Sequence, residues 1–293
     1  MPVAFEQVSF SYDGERDALE NIDLVVDDGE FLGVIGHTGS GKSTLVQLMN
    51  ALLVPTAGRV LVDGMDTRER KLRRKVRTTV GLAFQYPETQ LFANTVAEDV
   101  AFGPRNLDLP DDEVNRRVRE ALERVGMDYA EVAQRSPFDL SGGQQRRVAL
   151  AGILAMEPRV LVLDEPAAGM DPATVSEIRA YLRELNDQGL TIVLVSHSMD
   201  DVAELCSRII VLDHGTLHMQ GTPAELFTAQ NAAELRRINL GMPRATKFAL
   251  ELAERGLEMP DPILDERQLV EALVDLRNET HWTGTSVSFE QKG

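Results

Sequence analysis

The stretch GHTGSGKST, at residues 36–44, constrains the fold of this chain more than any other part of its sequence. It lies between GEFLGVIG, which has the pattern of a buried strand, and STLVQLMNALL, which has helical spacing. In that context the pattern GxxxxGKS lets successive backbone N–H groups curl around a phosphate at the N-terminus of a helix. The sequence therefore predicts a phosphate-binding loop at the edge of an α/β sheet.

We expect every residue of this phosphate loop to contribute to binding a nucleotide. Glycines let the backbone approach closely, Lys42 supplies a positive charge to the β- and γ-phosphates, and Ser43 offers a hydroxyl to Mg²⁺. The predicted nucleotide-binding residues of the loop are Gly36, His37, Thr38, Gly39, Ser40, Gly41, Lys42, Ser43 and Thr44. The alternative, a chance glycine turn, does not account for the strand and helix on either side.

An acidic pair ends the apolar run RVLVLDEP at 159–166. Asp164 falls at the carboxyl end of this predicted strand, where it can support Mg²⁺ beside the loop. Glu165 can polarise a water in line with the γ-phosphate. Taken alone, the pair fits equally well the cap of a helix that precedes Pro166.

Strand-like and helical segments alternate along the first 222 residues, which predicts an α/β chain with a mainly parallel core sheet. The predicted strands are 3–10, 22–26, 29–36, 58–64, 80–85, 159–166, 190–196 and 208–213. The predicted helices are 43–53, 111–125, 142–156, 172–187 and 199–206. The composition then changes, so we predict a nucleotide-binding domain at 1–222 and a small helical C-terminal domain at 223–293.

Composition excludes several other classes of protein. A formal net charge of −17 argues against broad binding of nucleic acid. The single cysteine, Cys206, forms no intramolecular disulfide, and we expect it to be an ordinary buried residue of a protein in a reducing compartment. The basic stretch at 68–77 contains seven Lys or Arg but no aromatic residue, so a solvated face or contact with lipid head groups fits it better than nucleic acid.

The segment LSGGQQRR at 140–147 makes a family resemblance specific. Over roughly residues 3–222 the chain resembles the nucleotide-binding subunits of ATP-binding cassette (ABC) transporters. This resemblance implies a P-loop ATPase fold with an N-terminal antiparallel β subdomain and a helical subdomain at about 86–156. It also implies ATP as substrate with Mg²⁺, which Ser43, Gln85 and Asp164 would hold.

The same resemblance assigns roles to further residues. Glu165, His197 and Gln85 would be catalytic, Tyr12 would stack on adenine, and Asp171 would end the D-loop, AAGMD. The signature residues would contact ATP bound to a second subunit in a head-to-tail dimer, and they are Ser141, Gly142, Gly143 and Gln144. The first three open a helix that we expect to begin near Gln144, whose N–H groups and dipole would face an anion.

The stretch FQYPETQLFANTVAEDVAFGP, at 84–104, resembles the ATPases of energy-coupling factor (ECF) importers, most closely the second of their two ATPase subunits. That likeness implies a homologous ATPase partner in a heterodimer and a C-terminal dimerisation domain at 223–293. It also implies a transmembrane coupling protein docked near Gln85 and residues 86–95, with apolar Tyr86, Pro87, Leu91 and Phe92. A separate membrane subunit would bind a vitamin, another micronutrient or a metal ion.

These partners would place the chain at the cytoplasmic side of the cell membrane as a peripheral subunit. The longest apolar runs are too short to span a bilayer, so a partner would have to hold it there. Two alternatives remain open: an ATPase of another ABC transporter type, and a soluble ABC protein acting as a switch on DNA or the ribosome. The lack of a heptad run between Gln85 and Leu140 weighs against the second alternative.

Overall fold

Two β-sheets form the centre of the structure, a computed structural model that describes residues 2–279. Their strands are, in chain order, β1 (Val3–Ser11), β2 (Asp17–Val26), β3 (Phe31–Gly36), β4 (Ala57–Val62), β5 (Met65–Asp66), β6 (Val80–Ala83), β7 (Val160–Asp164), β8 (Thr191–Val195), β9 (Arg208–Asp213) and β10 (Thr216–Gly221). One sheet is antiparallel, with the strand order β2-β1-β4-β5. The other is mixed, with the order β10-β9-β3-β8-β7-β6.

The mixed sheet is parallel except for its edge strand β10, which pairs antiparallel with β9. Every residue of β3 and of β8 is buried, which explains their continuous apolar sequences. Because β3 and β7 are parallel, their carboxyl ends lie at the same edge. The sheet therefore brings the phosphate loop and the acidic pair to one place, as the sequence predicted.

Helices cover both faces of the mixed sheet and continue beyond it. They are α1 (Lys42–Met49), α2 (Arg73–Thr79), α3 (Val96–Arg105), α4 (Asp111–Arg124), α5 (Tyr129–Val132), α6 (Gly142–Leu154), α7 (Pro172–Asp187), α8 (Met199–Leu205), α9 (Pro223–Leu226), α10 (Ala232–Arg237), α11 (Arg244–Glu254) and α12 (Glu266–Glu279). Short 3-10 turns at Pro87–Gln90 and Pro137–Asp139 join the helical region to the sheets.

Two large apolar clusters account for most of the core. One joins α1 to the antiparallel sheet and to one face of the mixed sheet, and it includes Phe5, Leu45 and Val162. The other lies on the opposite face, where α3, α4 and α6 pack together, and it includes Val100, Leu122 and Val148. The phosphate loop leaves β3 between these two clusters, so packing on both sides fixes its position.

Several elements differ from the sequence predictions, and the short elements β5, α2 and α5 were not predicted. Strand β2 begins at Asp17 rather than at residue 22. Strand β10 was not predicted because its residues alternate between exposed and half-buried, without an apolar run. Helix α3 was not predicted because its last turn contains Gly103 and Pro104, which usually mark the end of a helix.

The packing changes further along the chain than the composition does. Phe227, Leu235 and Ile238 are buried in the same cluster as the helical region and the mixed sheet. A separate small cluster joins α11, α12 and the segment between them, and it contains Ala245, Ala249, Ile263 and Ala272. The first helices after residue 222 thus belong to the main core. The predicted domain also extends to residue 293, and its part beyond 279 lies outside the described residues.

Two further expectations concern surface and core. Cys206 is buried, and burial raises the pKa of its thiol well above the usual range, which agrees with an ordinary core residue. Over residues 2–279, none of the helices has the length and apolar character needed to cross a membrane.

Candidate nucleotide-binding site

The phosphate loop has a backbone shape that requires glycine at two positions. Gly39 and Gly41 have φ angles of 83° and 105°, in the left-handed region that other residues rarely adopt. A Cβ atom at Gly41 would also lie 2.7 Å from Leu19 Cδ2 and 2.8 Å from the carbonyl oxygen of Ala18. Thr38 and Gly39 are exposed, so the loop is open to a ligand.

Lys42 is held beneath the loop, with only 7% of its surface exposed. Its Nζ donates to the carbonyl oxygens of Gly36 at 2.7 Å and His37 at 3.0 Å. Burial lowers the pKa of Lys42, while the nearby charges of Glu165 and Asp164 oppose that shift. An ammonium group has three N–H bonds, so one remains for a phosphate oxygen.

Ser43 and Asp164 meet as the sequence predicted. Ser43 Oγ donates to Asp164 Oδ2 at 3.2 Å, and Ser43 is exposed while Asp164 is partly buried. Burial raises the pKa of Asp164 despite this hydrogen bond. Gln85, two residues beyond the end of β6, lies at the same sheet edge, because Ala83 pairs with Leu163. Its side chain is exposed and makes no hydrogen bond within residues 2–279.

Glu165 has an unusual backbone and an unusual side chain. Its φ is 54°, and its N–H donates to the carbonyl oxygen of Val195 at 3.0 Å. Burial, followed by the charge of Asp164, raises its pKa to about 7. Its Oε1 is buried without a hydrogen-bond partner among the described residues, and His197 Nε2 lies 3.5 Å away. A carboxylate with a free oxygen and a pKa near neutrality is suited to accept a proton from water.

The predicted adenine-stacking residue lies beside the start of α1. The hydroxyl of Tyr12 is within 3.1 Å of Thr44 Oγ1, and its ring packs edge-on against Phe10. The side chain is 65% exposed. The structure thus brings Tyr12, Thr44 and the loop together, with most of the ring open to solvent.

Of the four signature residues, Ser141 and Gly142 are exposed, and Gly143 and Gln144 are partly buried. Helix α6 starts at Gly142, which agrees with the predicted helix at 142–156 and lies two residues before the expected start near Gln144; Ser141 and Gln144 form a capping box there. Ser141 Oγ accepts from the N–H of Gln144 at 3.3 Å, and the N–H of Ser141 donates to Gln144 Oε1 at 3.0 Å. The box leaves the hydroxyl proton of Ser141 and the N–H groups of the two signature glycines available to an anion.

Asp171 caps the N-terminus of α7. Its Oδ1 accepts from the N–H groups of Ala173 and Thr174, both at 3.1 Å, and its Oδ2 accepts from the Thr174 hydroxyl at 2.6 Å. These bonds, led by that from the Thr174 side chain, lower the pKa of Asp171. The structure does not bring Asp171 into contact with the phosphate loop of its own chain in the described residues.

One connecting residue was missed by the sequence reasoning. Arg146 is 8% exposed, and its guanidinium forms an ion pair with Glu88 at 3.0 Å. It also donates to the carbonyl oxygens of Pro166 and Ala168, at 2.9 and 3.2 Å. The doublet at 146–147 shows two arginines next to the signature, but a sequence does not reveal which one faces inward.

Comparison with known proteins agrees with this geometry. The sequence profile of the ABC transporter family matches residues 19–168. The protein of Symbiobacterium thermophilum named "Energy-coupling factor transporter ATP-binding protein EcfA2" is 56% identical over 278 residues, which cover 93% of this chain and 96% of that protein. The protein of the same name in Clostridium perfringens is 46% identical over 264 residues, covering 89% and 92%.

Solved structures of ABC ATPases are also similar to this chain. The structure of cbiO1 from Clostridium perfringens, described as part of the ABC transporter complex cbiONQ, has a TM-score of 0.72 and 39% identity, and covers 81% of this chain and 94% of that one. A dimer of the ATP-binding cassette MJ0796, bound to ADP and Pi, has a TM-score of 0.66 and 31% identity, covering 75% and 98%.

Fold, site and matches together define an ATP-hydrolysing cassette subunit of the ABC transporter family. Within that family, the chain belongs to the ATP-binding proteins of energy-coupling factor importers. The prediction of this subfamily from residues 84–104 is therefore confirmed.

Proposed function

We propose that this chain binds Mg²⁺–ATP on its phosphate loop and hydrolyses it with Glu165 as the base, in a site completed by the signature of a second ATPase subunit. The observation that carries the proposal is the free, buried Oε1 of Glu165, which lies next to Asp164 at the edge where the loop begins. It is the arrangement that activation of a water molecule requires.

The residues beside the loop fit a magnesium ion. Ser43 Oγ and Asp164 Oδ2 lie 3.2 Å apart, and both are oxygen donors of the kind that Mg²⁺ prefers. Bound Mg²⁺ would supply neutralising charge at the β- and γ-phosphates. Gln85, exposed at the same edge, would join these two residues once a nucleotide orders its side chain.

The chain's own groups would then carry out hydrolysis. Lys42 and the loop N–H groups hold the phosphates, and Glu165 takes a proton from water as its oxygen attacks the γ-phosphorus. The bond from that phosphorus to the bridging oxygen breaks, and ADP leaves. His197, 3.5 Å from Glu165, would orient the water or the γ-phosphate. Because Glu165 must be ionised, turnover should rise with pH up to about 7.

The second half of the site would come from another subunit. Ser141 and Gly142 are exposed at the start of the signature helix, where free N–H groups can bind an anion, so we infer a head-to-tail dimer with a homologous ATPase. The apolar side chains exposed on α11 and α12 support a further contact through the C-terminal region, and they are Phe248, Val270 and Val274.

A groove beside Gln85 would receive a transmembrane coupling protein. Its volume is about 910 Å³, and Phe84, Phe92 and Phe102 contribute to its lining. Phe92 and Phe102 are more than half exposed, with ring centroids 5.0 Å apart. Of the other apolar residues predicted to dock, Pro87 and Leu91 are buried, and Tyr86 faces Arg146. Exposed aromatic rings in a groove mark a docking surface for an apolar helix.

The basic stretch contributes four arginines to the lining of this groove, and several of its side chains bond within the chain. Arg73 donates to the Thr67 carbonyl, Arg74 pairs with Asp108, and Arg77 donates to the Ala51 carbonyl. These bonds favour a structural role and leave nucleic-acid binding unsupported. We place the chain at the cytoplasmic face of the membrane, where a further membrane subunit would supply a vitamin, another micronutrient or a metal ion.

The test is affinity purification of the full chain from native membranes in mild detergent, with Phe92→Asp compared with Phe138→Asp. Phe138 is 61% exposed at a different place, so it controls for a charge at an exposed ring. We expect a second cassette ATPase and a small multi-spanning protein with wild type and Phe138→Asp, and loss of the membrane protein with Phe92→Asp. Recovery of self-dimers with a large permease would instead indicate another importer type.

A further inference from the structure

Two histidines and an aspartate meet where the phosphate loop contacts the turn between β9 and β10. His37 belongs to the loop, Asp213 ends β9, and His214 follows it in the turn. One ligand atom from each of the three lies within 4.8 Å of the others. The turn already supports the loop, because the N–H of Gly215 donates to the carbonyl oxygen of Ser40 at 3.1 Å.

The hydrogen bonds of His37 determine which of its nitrogens is free. Nδ1 is 2.8 Å from the carbonyl oxygen of Thr38, and a carbonyl only accepts, so Nδ1 carries a proton. In the neutral ring Nε2 then presents a lone pair. That atom is buried and has no hydrogen-bond partner in the described part of the chain, although Asp213 Oδ1 is only 3.1 Å away.

A lone pair and a carboxylate oxygen at this distance repel each other unless Nε2 is protonated or a metal ion lies between them. Two ligands of a tetrahedral zinc ion, each at its usual bond length, are about 3.3 Å apart. The separations of Asp213 Oδ1 from the Nε2 atoms of His37 and His214 are 3.1 and 3.8 Å, close to that value. His214 is exposed, so its ring can turn to bring its nitrogen closer.

We propose that His37, Asp213 and His214 bind one divalent transition-metal ion, such as Zn²⁺ or Co²⁺, at a site that borders the phosphate loop and differs from the Mg²⁺ site at Ser43 and Asp164. Two imidazoles and one carboxylate suit these ions and not Mg²⁺, which takes oxygen ligands. Water would complete the coordination. The bound ion would fasten the β9–β10 turn to the phosphate loop.

The test uses the full-length chain without an affinity tag, because a histidine tag would itself bind metal. The protein is treated with EDTA, exchanged into chelator-free buffer without nucleotide, and titrated with Co²⁺ while its visible absorption is recorded. Calorimetric titration with Zn²⁺ gives stoichiometry and affinity. We expect one equivalent to bind and to raise the thermal unfolding temperature.

Substitutions of the cluster distinguish this site from adventitious binding. His214→Ala and Asp213→Asn should each weaken binding by about tenfold or more. His218→Ala is the matched control, since His218 pairs with Glu234 at 2.6 Å on a different surface, and it should bind as wild type does. The proposal is overturned if wild type shows no stoichiometric binding, as expected for a doubly protonated His37 paired with Asp213. Equal affinity in wild type and His214→Ala would overturn it as well.

Discussion

The phosphate loop and the signature segment, Leu140–Gln144, both present N–H groups at the start of a helix, yet they are built differently. The loop is held by its own chain, with Lys42 buried beneath it and Gly41 fitted against Ala18 and Leu19. In the signature, Ser141 and Gly142 are exposed, and an added Cβ at Gly142 would meet nothing within 4 Å. The phosphate loop is therefore supported by its own chain, whereas the signature leaves space for a group from another molecule.

This difference indicates that the chain contributes its phosphate loop to one ATP site and its signature to a second one. Residues that hold the phosphates should act in the isolated chain, whereas signature residues should act only when a second subunit is present. Substitutions in the two regions should therefore separate nucleotide binding from association between subunits.

The largest effect is expected from Glu165→Gln. Removal of the base should lower turnover of the assembled complex by about 10²- to 10⁴-fold, while ATP binding and ATP-bound dimers persist. ATPase assays together with size-exclusion chromatography measure both properties. Glu131→Gln, an exposed carboxylate on α5, is the matched control. Near-normal turnover in Glu165→Gln would remove Glu165 from the catalytic role.

Lys42→Ala should act on the isolated chain. Loss of a buried ammonium that contacts phosphate costs about 2–5 kcal/mol, or ~30-fold or more in ATP affinity. Calorimetry with Mg²⁺–ATP measures this loss, and Lys71→Ala, whose side chain is 82% exposed, provides the comparison. If both variants bound ATP equally well, the phosphate-loop assignment would be wrong.

Gly142→Ala tests the role of the signature. In the isolated chain the methyl group meets open space, so stability and ATP affinity should be unchanged or slightly improved. Across a dimer the same methyl would crowd the partner's phosphate, and ATP-driven association should weaken by about tenfold.

Gly152→Ala, further along α6, is the matched control, because its added Cβ would come no closer than 4.0 Å to Val100 Cα. Association is measured in the Glu165→Gln background, where ATP persists. Identical association of the two alanine variants would contradict a signature contact between subunits.

The smallest effect concerns pH. The pKa of Glu165 is about 7 in the folded chain and 4.5 for an unperturbed glutamate, so between these values the folded state holds a proton that the unfolded state has released. This group's contribution to the free energy of unfolding therefore decreases as pH rises from 4.5 to 7. In thermal unfolding of the nucleotide-free chain, the stability of Glu165→Gln should increase relative to that of wild type as pH rises across that range. Parallel pH profiles would contradict the raised pKa.

Much of this site could be predicted because it follows local sequence. The loop lies between one strand and one helix, and Asp164 ends a strand parallel to the first, so chain order alone places them at one edge. The left-handed backbone of Glu165 could not be foreseen, because nothing local distinguishes it from an ordinary helix cap. Its free oxygen depends on packing against distant residues.

Two other details depend on contacts that the sequence does not show. Gly142 is a poor helix former, and only the reciprocal bonds of Ser141 and Gln144 allow the helix to begin there. Helices α9 and α10 follow the change in composition, but they bury Phe227 and Leu235 in the main cluster. Composition reports what a segment contains, not the surface against which it packs.

Arg146 has a mechanical consequence. Its planar guanidinium is bonded at once to Glu88 beside the docking groove and to the Pro166 and Ala168 carbonyls that follow Glu165, while its backbone belongs to α6. As long as these bonds hold, a displacement of the Pro87–Gln90 turn should also displace helix α6, which carries the signature. A partner that moved this turn would therefore also act on the signature helix and on the segment after Glu165.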